Sequence, residues 1–145
     1  MLAKAFLSSN IISRNNIILL VVLLVILLFA GYVIKLKIRI NYLKRWKEVQ
    51  KLLADKSTWS DAILEADHLL DVRLKSKHYK GKTMGERLVS AQHELSANDM
   101  VWFSHKFCNK LVNGEVKPNK SDVKKCLIGY WLALKDLGAF PENEQ

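Results

Sequence analysis

No Asp or Glu occurs before Glu48, whereas eight cations do: Lys4, Arg14, Lys35, Lys37, Arg39, Lys44, Arg45 and Lys47. The net charge of +9 is therefore concentrated in the first third of the chain. From Glu48 onward 15 Lys and Arg face 14 acids, a balance of +1, which argues against a strongly basic nucleic-acid-binding domain. Two prolines in 145 residues, with half of all residues apolar, argue against a disordered tail. No Val/Ile/Thr alternation of strand type appears after Asp55, which leaves an all-α fold as the expectation.

What the chain does have is a long apolar run. Residues 17–34 (IILLVVLLVILLFAGYVI) carry no charge, Pro, Asn or Gln, and 18 residues at about 1.5 Å each reach roughly 27 Å, close to the hydrocarbon thickness. Backbone polar groups in lipid must be satisfied internally, so a single crossing is expected to be a helix. Lys4 and Arg14 precede it, whereas Lys35, Lys37, Arg39, Lys44, Arg45 and Lys47 follow within thirteen residues. Excess Lys and Arg stay in the cytoplasm, so the expected topology is single-pass in the cell membrane, N-terminus outside and body cytoplasmic. The run exceeds the apolar core of a usual signal peptide, and no small-x-small site follows it. Tyr32 is either an interfacial aromatic or one more lipid-facing residue. The basic residues that follow serve either as a topology signal or as contacts to anionic lipid head groups.

Leu36, Ile40, Leu43 and Trp46 are spaced for one helix face, which predicts a helical stalk over residues 35–55. Residues 1–16 then form a short outer segment, 56–138 a small bundle of four to five helices, and 139–145 a tail. Within the bundle, Ser57 is the expected cap of a helix with Trp59, Ile63, Ala66, Leu70 and Leu74 on its core face. A lysine-rich loop breaks it, and a short helix follows over residues 84–95. A fourth helix is expected over residues 97–113. After the Asn113-Gly114 turn and Pro118, a fifth is expected from Ser121 to Leu137, stopped by Gly138 and Pro141. The last two helices should form an antiparallel hairpin about residue 117, with Cys108 and Cys126 equidistant from its centre. Packed helices lie about 8–10 Å apart, too far for a disulfide, and the cytoplasm is reducing, so two buried free thiols are expected.

On the fourth helix Met100, Val101, Phe103, Phe107, Cys108, Leu111 and Val112 share the expected core face. Opposite lies a stripe of Trp102, His105, Asn109 and Asn113, flanked by Lys106 and Lys110. A Trp beside a His and two amides marks either an interface or a ring folded over a neighbouring helix. On the fifth helix Val123, Cys126, Leu127, Tyr130, Trp131, Leu134 and Leu137 form the core face, leaving Ile128 and Leu132 on the far side. That pair suggests a partner helix, a second copy being the simplest case, although scattered surface apolar residues are ordinary. The binding or interface candidates are thus Trp102, His105, Lys106, Asn109, Asn113, Ile128 and Leu132.

Motifs for chemistry do not assemble. Gly81-Lys82-Thr83 imitates the end of a phosphate-binding loop, but Ser76 stands where the first Gly should be and a helix precedes it. Glu65-x-x-His68 has di-metal spacing without the second pair that such bundles need. His105, Cys108, Cys126 and His93 do not converge as a zinc site, because Cys108 points to the core while His105 sits at its edge. Asp67 and Asp71 lie beside the core face, where they could pair with Arg73, Arg87 or a lysine. No nucleophile and base can be paired among the histidines, so neither an enzyme, a metal nor a cofactor is expected.

The stretches WSDAILEADHLLD, YKGKTMGERL and WFSHKFCNKLVNGE resemble a family of uncharacterised, membrane-anchored helical proteins from very small bacteria, over residues 46–138. Their His-Lys-x-Arg-Asn-x-x-x-His-Glu pattern is in turn similar to the signature of HEPN domains, small and often dimeric helical bundles. Active HEPN members cleave RNA with that Arg and His, and others act as binding modules. His105, Lys106 and Asn109 match, whereas Cys108 replaces the Arg and Asn113 the His. Asn has no titratable proton near neutral pH and Cys cannot brace a phosphate as a guanidinium does, so the resemblance implies no RNase activity. Two readings follow: a membrane-anchored, non-enzymatic interaction module with lipid and a protein partner or homodimer, or a degenerate HEPN-type RNA-binding domain. The second would draw on Lys75, Lys77, Lys80, Lys82, Lys117, Lys120, Lys124 and Lys125, against a near-neutral net charge.

Overall fold

A computed structural model describes the backbone of residues 2–140 and the side chains of residues 14–140. The described residues are all-helical, with no strand. Helix α1 (Leu2–Lys51) leads into two 3-10 turns (Leu52–Ala54 and Lys56–Thr58). Then come α2 (Trp59–Ser76), α3 (Met84–Ala91) with a 3-10 turn (Gln92–Glu94), α4 (Asn98–Val112) and α5 (Lys120–Asp136). The chain divides into two compact units, Met1–Lys37 and Ile38–Gln145.

In the first unit every side chain of residues 17–34 is exposed, and among the described residues α1 is the one helix long and apolar enough to cross a membrane. Lys4 falls outside the described side chains, and Pro141 lies beyond the described residues.

The second unit begins inside the segment expected to be a stalk. Tyr42, Trp46 and Val49, spaced by four and three, are buried, whereas Leu36 and Ile40 from the expected face are exposed. The end of α1 is therefore a bundle helix in its own right, held by Trp46 against Trp131 and Phe140, with ring centroids 5.4 and 6.0 Å apart. The segment expected as a tail likewise starts inside the core, because Ala139 and Phe140 are buried.

Helix α2 buries Ala62, Ile63, Ala66, Leu69, Leu70 and Leu74, an i, i+3, i+4 stripe, while Trp59 is half-buried. Ser57 does not cap it. The two 3-10 turns move the helix start to Trp59, and the Ser57 amide instead donates to Asp55 Oδ1 at 2.9 Å. Thr58 Oγ1 donates to the Leu52 and Asp55 carbonyls at 2.6 and 2.9 Å. Helix α3 is capped by Thr83, whose Oγ1 accepts from the Glu86 amide at 3.2 Å. The Gly-Lys-Thr sequence is thus a helix start. Gly81 sits at φ 149, where an added Cβ would meet the Arg87 amide nitrogen at 2.7 Å.

Asn119, not Ser121, caps α5: its side chain accepts from the Asp122 amide at 3.0 Å while Asp122 Oδ2 accepts from the Asn119 amide at 3.4 Å. Ser121 is already inside the helix. At the other end Gly138, at φ 67, takes the left-handed turn that stops the helix. There the Arg73 guanidinium donates to the Leu137 carbonyl from Nε at 3.0 Å and from Nη2 at 2.6 Å, and to the Gly138 carbonyl at 3.1 Å.

Helices α4 and α5 form the expected hairpin, with Cys108 and Cys126 as buried free thiols. The core stripe of α4 is Val101, Ser104 and Cys108. Met100, Phe103, Phe107 and Leu111 are half-buried, and Val112, expected in the core, is 66% exposed. Gly129 explains the rotation. A Cβ there would lie 2.6 Å from Ser104 Oγ and 2.9 Å from the Met100 carbonyl, so the helices approach where only Gly and Ser fit. The Ser104 hydroxyl reaches the Met100 and Cys126 carbonyls at 2.7 and 3.2 Å.

Candidate functional site

Two places in the second unit concentrate functional side chains. The first joins α2, α4 and α5. Asp67 Oδ1 receives the Tyr130 hydroxyl at 2.8 Å and His105 Nδ1 at 2.9 Å. A carboxylate only accepts, so His105 donates to it from Nδ1. Nε2 meets the Asn109 amide at 3.5 Å, the outer edge of hydrogen-bond distance, and no hydroxyl or thiol among the described hydrogen bonds. Burial raises the Tyr130 phenol well above its ordinary pKa, and the neighbouring Asp67 charge adds to this. Burial likewise pushes the Cys108 thiol up to about 12, with Asp67 contributing. A carboxylate that orients an imidazole is half of an acid–base device, but here the same carboxylate also anchors a buried phenol and ties three helices together.

The stripe expected on α4 is therefore divided. Trp102 is half-buried, its ring beside α3 at 3.8 Å from where a Cβ on Gly85 would stand, and edge-on to His105 at 6.3 Å. Lys106 Nζ stands 5.9 Å from that ring and is exposed, as are Asn109 and Asn113. Asn113 donates to Glu115 Oε1 at 2.9 Å. His105 is held inward, with 12% of its side chain exposed.

Asp71 found Arg87 and Lys75, while Arg73 went to the end of α5. Arg87 Nε and Nη2 reach Asp71 Oδ1 at 2.9 and 2.6 Å, and Lys75 Nζ reaches Oδ2 at 2.6 Å. Burial pushes the Asp71 carboxyl up, but Lys75 and Arg87 together outweigh it and hold the group below its ordinary value. Arg87 also donates to the Gly81 carbonyl at 2.8 Å, so this cluster secures the loop before α3. Of the membrane-flanking cations, Arg45 pairs with Glu65 at 2.8 Å, whereas Lys35, Lys37, Lys44 and Lys47 are exposed and Arg39 is half-buried. Among the described residues no group of three or more His, Cys, Asp or Glu stands where it could hold a metal ion.

The second place is an apolar groove of about 400 Å³. The end of α1 contributes Trp46 and Gln50, and Leu53 and Trp59 line it from the chain that follows. Helix α5 contributes Lys120, Lys124, Val123, Leu127, Ile128 and Trp131. Trp131 stacks on Phe140 with centroids 4.1 Å apart, and Trp59 Nε1 donates to the Leu53 carbonyl at 3.2 Å, so the walls are fixed from behind. Ile128, 40% exposed, sits on its rim, and Leu132 is half-buried. The sequence pointed to Ile128 but placed Trp46 in a stalk and Trp59 and Trp131 in the core. Four Trp in so short a chain was the available signal.

No protein-family model, no curated protein and no solved structure matches this chain.

Proposed function

We propose that this chain is a single-pass, membrane-anchored, non-enzymatic helical module that works by binding through the groove between the end of α1 and α5. The groove carries the reading: a volume of about 400 Å³ lies within the size of small-ligand clefts, and its walls are mostly Trp, Leu, Val and Ile, with Gln50, Lys120 and Lys124 beside them. The exposed apolar run supports the anchor, because about 1.5–3 kcal/mol per large apolar side chain is gained on leaving water. Six cations after the run against two before it support a cytoplasmic body in the cell membrane.

The RNA-directed reading finds less support. Cys108 stands where the HEPN-like signature has its Arg and is 3% exposed, and His105 is turned toward Asp67. The test is a photo-crosslinking residue placed at Ile128, and separately at Asn109, in native membranes. A discrete adduct at Ile128, whether lipid, a second copy or another chain, is expected. RNA attached at Asn109, or no adduct at Ile128, would overturn the proposal.

A further inference from the structure

The charged residues of the groove's described lining, Lys120 and Lys124, lie at one end only, and Gln50 is its one uncharged polar side chain apart from the indole rings. Lys120 and Lys124 lie in the opening turns of α5, and Trp131 follows seven to eleven residues later, roughly 10–16 Å along the helix axis. At that far end Trp131 packs against Trp46 and Phe140, closing the groove with aromatic rings. Among the described residues no acid lines the groove, and neither lysine has an ion-pair partner. An occupant must therefore be anionic at one end and apolar along the rest of its length. A second copy would bring the same two lysines with it. A docked amphipathic helix would need acids spaced along one side, where the groove offers cations only at its end.

We infer that the groove binds a fatty acid, its alkyl chain running along Val123 and Leu127 to Trp46 and Trp131 and its carboxylate held by Lys120 and Lys124. This rests on the reading of the groove as the binding site. Single-chain amphiphiles hold to bilayers only marginally and reversibly, so a protein beside a membrane can draw on them, whereas two-chain lipids stay put. Burial of the chain supplies the affinity, and the two ammonium groups select the acid over a neutral analogue.

The experiment uses the full chain in nanodiscs of zwitterionic phosphatidylcholine. It is titrated with undecanoate brominated at the terminal carbon, and tryptophan fluorescence is followed. Saturable quenching is expected, reversed by unbrominated undecanoate. At least tenfold weaker binding is expected for brominated undecanol and for the K120E/K124E double variant. Both lysines are exposed, so that variant should keep its helical circular dichroism. A Leu127→Lys variant, which places a charge on the chain's path, should abolish saturation. Quenching that rises without saturating, or is equal for acid, alcohol and charge-reversed protein, would overturn the inference. If quenching fails while the Ile128 crosslinker captures a protein chain, the occupant is wrong and the binding reading stands. If both fail, both fall.

Discussion

Asp67 shows how much one side chain can be asked to do. Its Oδ1 accepts from the phenol of a buried Tyr and from an imidazole, on two different helices, at 2.8 and 2.9 Å. Removing the acceptor leaves the Tyr130 hydroxyl, itself on a fully buried residue, without a partner, and such orphaned groups cost more than the bond itself was worth. Asp67→Ala is expected to destabilise the fold by about 2 kcal/mol in urea titrations of the full chain in nanodiscs. Asp67→Asn, which keeps an oxygen for Tyr130, should lose less. The sequence placed Asp67 beside the core face and named Arg73, Arg87 or a lysine as partners. The partner it found, His105, lies 38 residues away and was read as part of an outward stripe. Nothing local distinguishes a His that points out from one that turns in toward a carboxylate on the next helix.

Between elements, the close approach of α4 and α5 depends on a residue with no side chain. Gly129 is fully inside a helix, where Gly costs about 1 kcal/mol relative to Ala in propensity alone. Gly129→Ala should nevertheless destabilise, because the methyl would sit 2.6 Å from Ser104 Oγ and 2.9 Å from a backbone carbonyl that cannot swing aside. A loss of about 2 kcal/mol is expected by the same titration, the propensity gain being smaller than the overpacking cost. The Gly129→Ala, Ser104→Ala pair should recover part of it by removing one of the two clashing atoms. The boundaries of α2 to α5 were legible within a few residues, since apolar spacing and Gly138 are local signals, whereas α1 starts at Leu2, well ahead of the apolar run at residue 17. The caps were not: Asn119 and Asp122 close a reciprocal box two residues ahead of the expected Ser121, and 3-10 turns displaced Ser57.

At the scale of the whole molecule, burial of groups that ionise in alkali sets a pH limit on the second unit. Burial holds the Cys108 and Cys126 thiols up to about 12 and the Tyr130 phenol well above its ordinary value. Below about pH 7.5 these thiols are neutral in folded and unfolded chains alike, so they impose no pH dependence there. Above it the unfolded chain loses protons that the folded one keeps, and stability falls as pH rises toward about 12. The urea midpoint should drop between about pH 8 and about pH 10.5, and a Cys108→Ala, Cys126→Ala variant should flatten that slope. A slope unchanged by the variant would place the alkaline loss elsewhere.

The sequence by itself determined the properties that are local along the chain: an uncharged apolar run, the one-sided cations around it, the all-helical class, and the approximate reach of α2 to α5. Hydrophobic periodicity and turn residues act over a few positions, so they can be read without coordinates. Only the tertiary structure decided that the expected stalk joins the bundle from Tyr42 onward, that Arg73 closes the end of α5, and that His105 faces Asp67. It also decided that Trp46, Trp59 and Trp131 line one groove. Those outcomes join residues 38 to 85 positions apart, such as Arg73 with Leu137 and Trp46 with Trp131. Each is chosen by which helix faces can be buried together, a competition among whole elements that no single stretch of chain encodes.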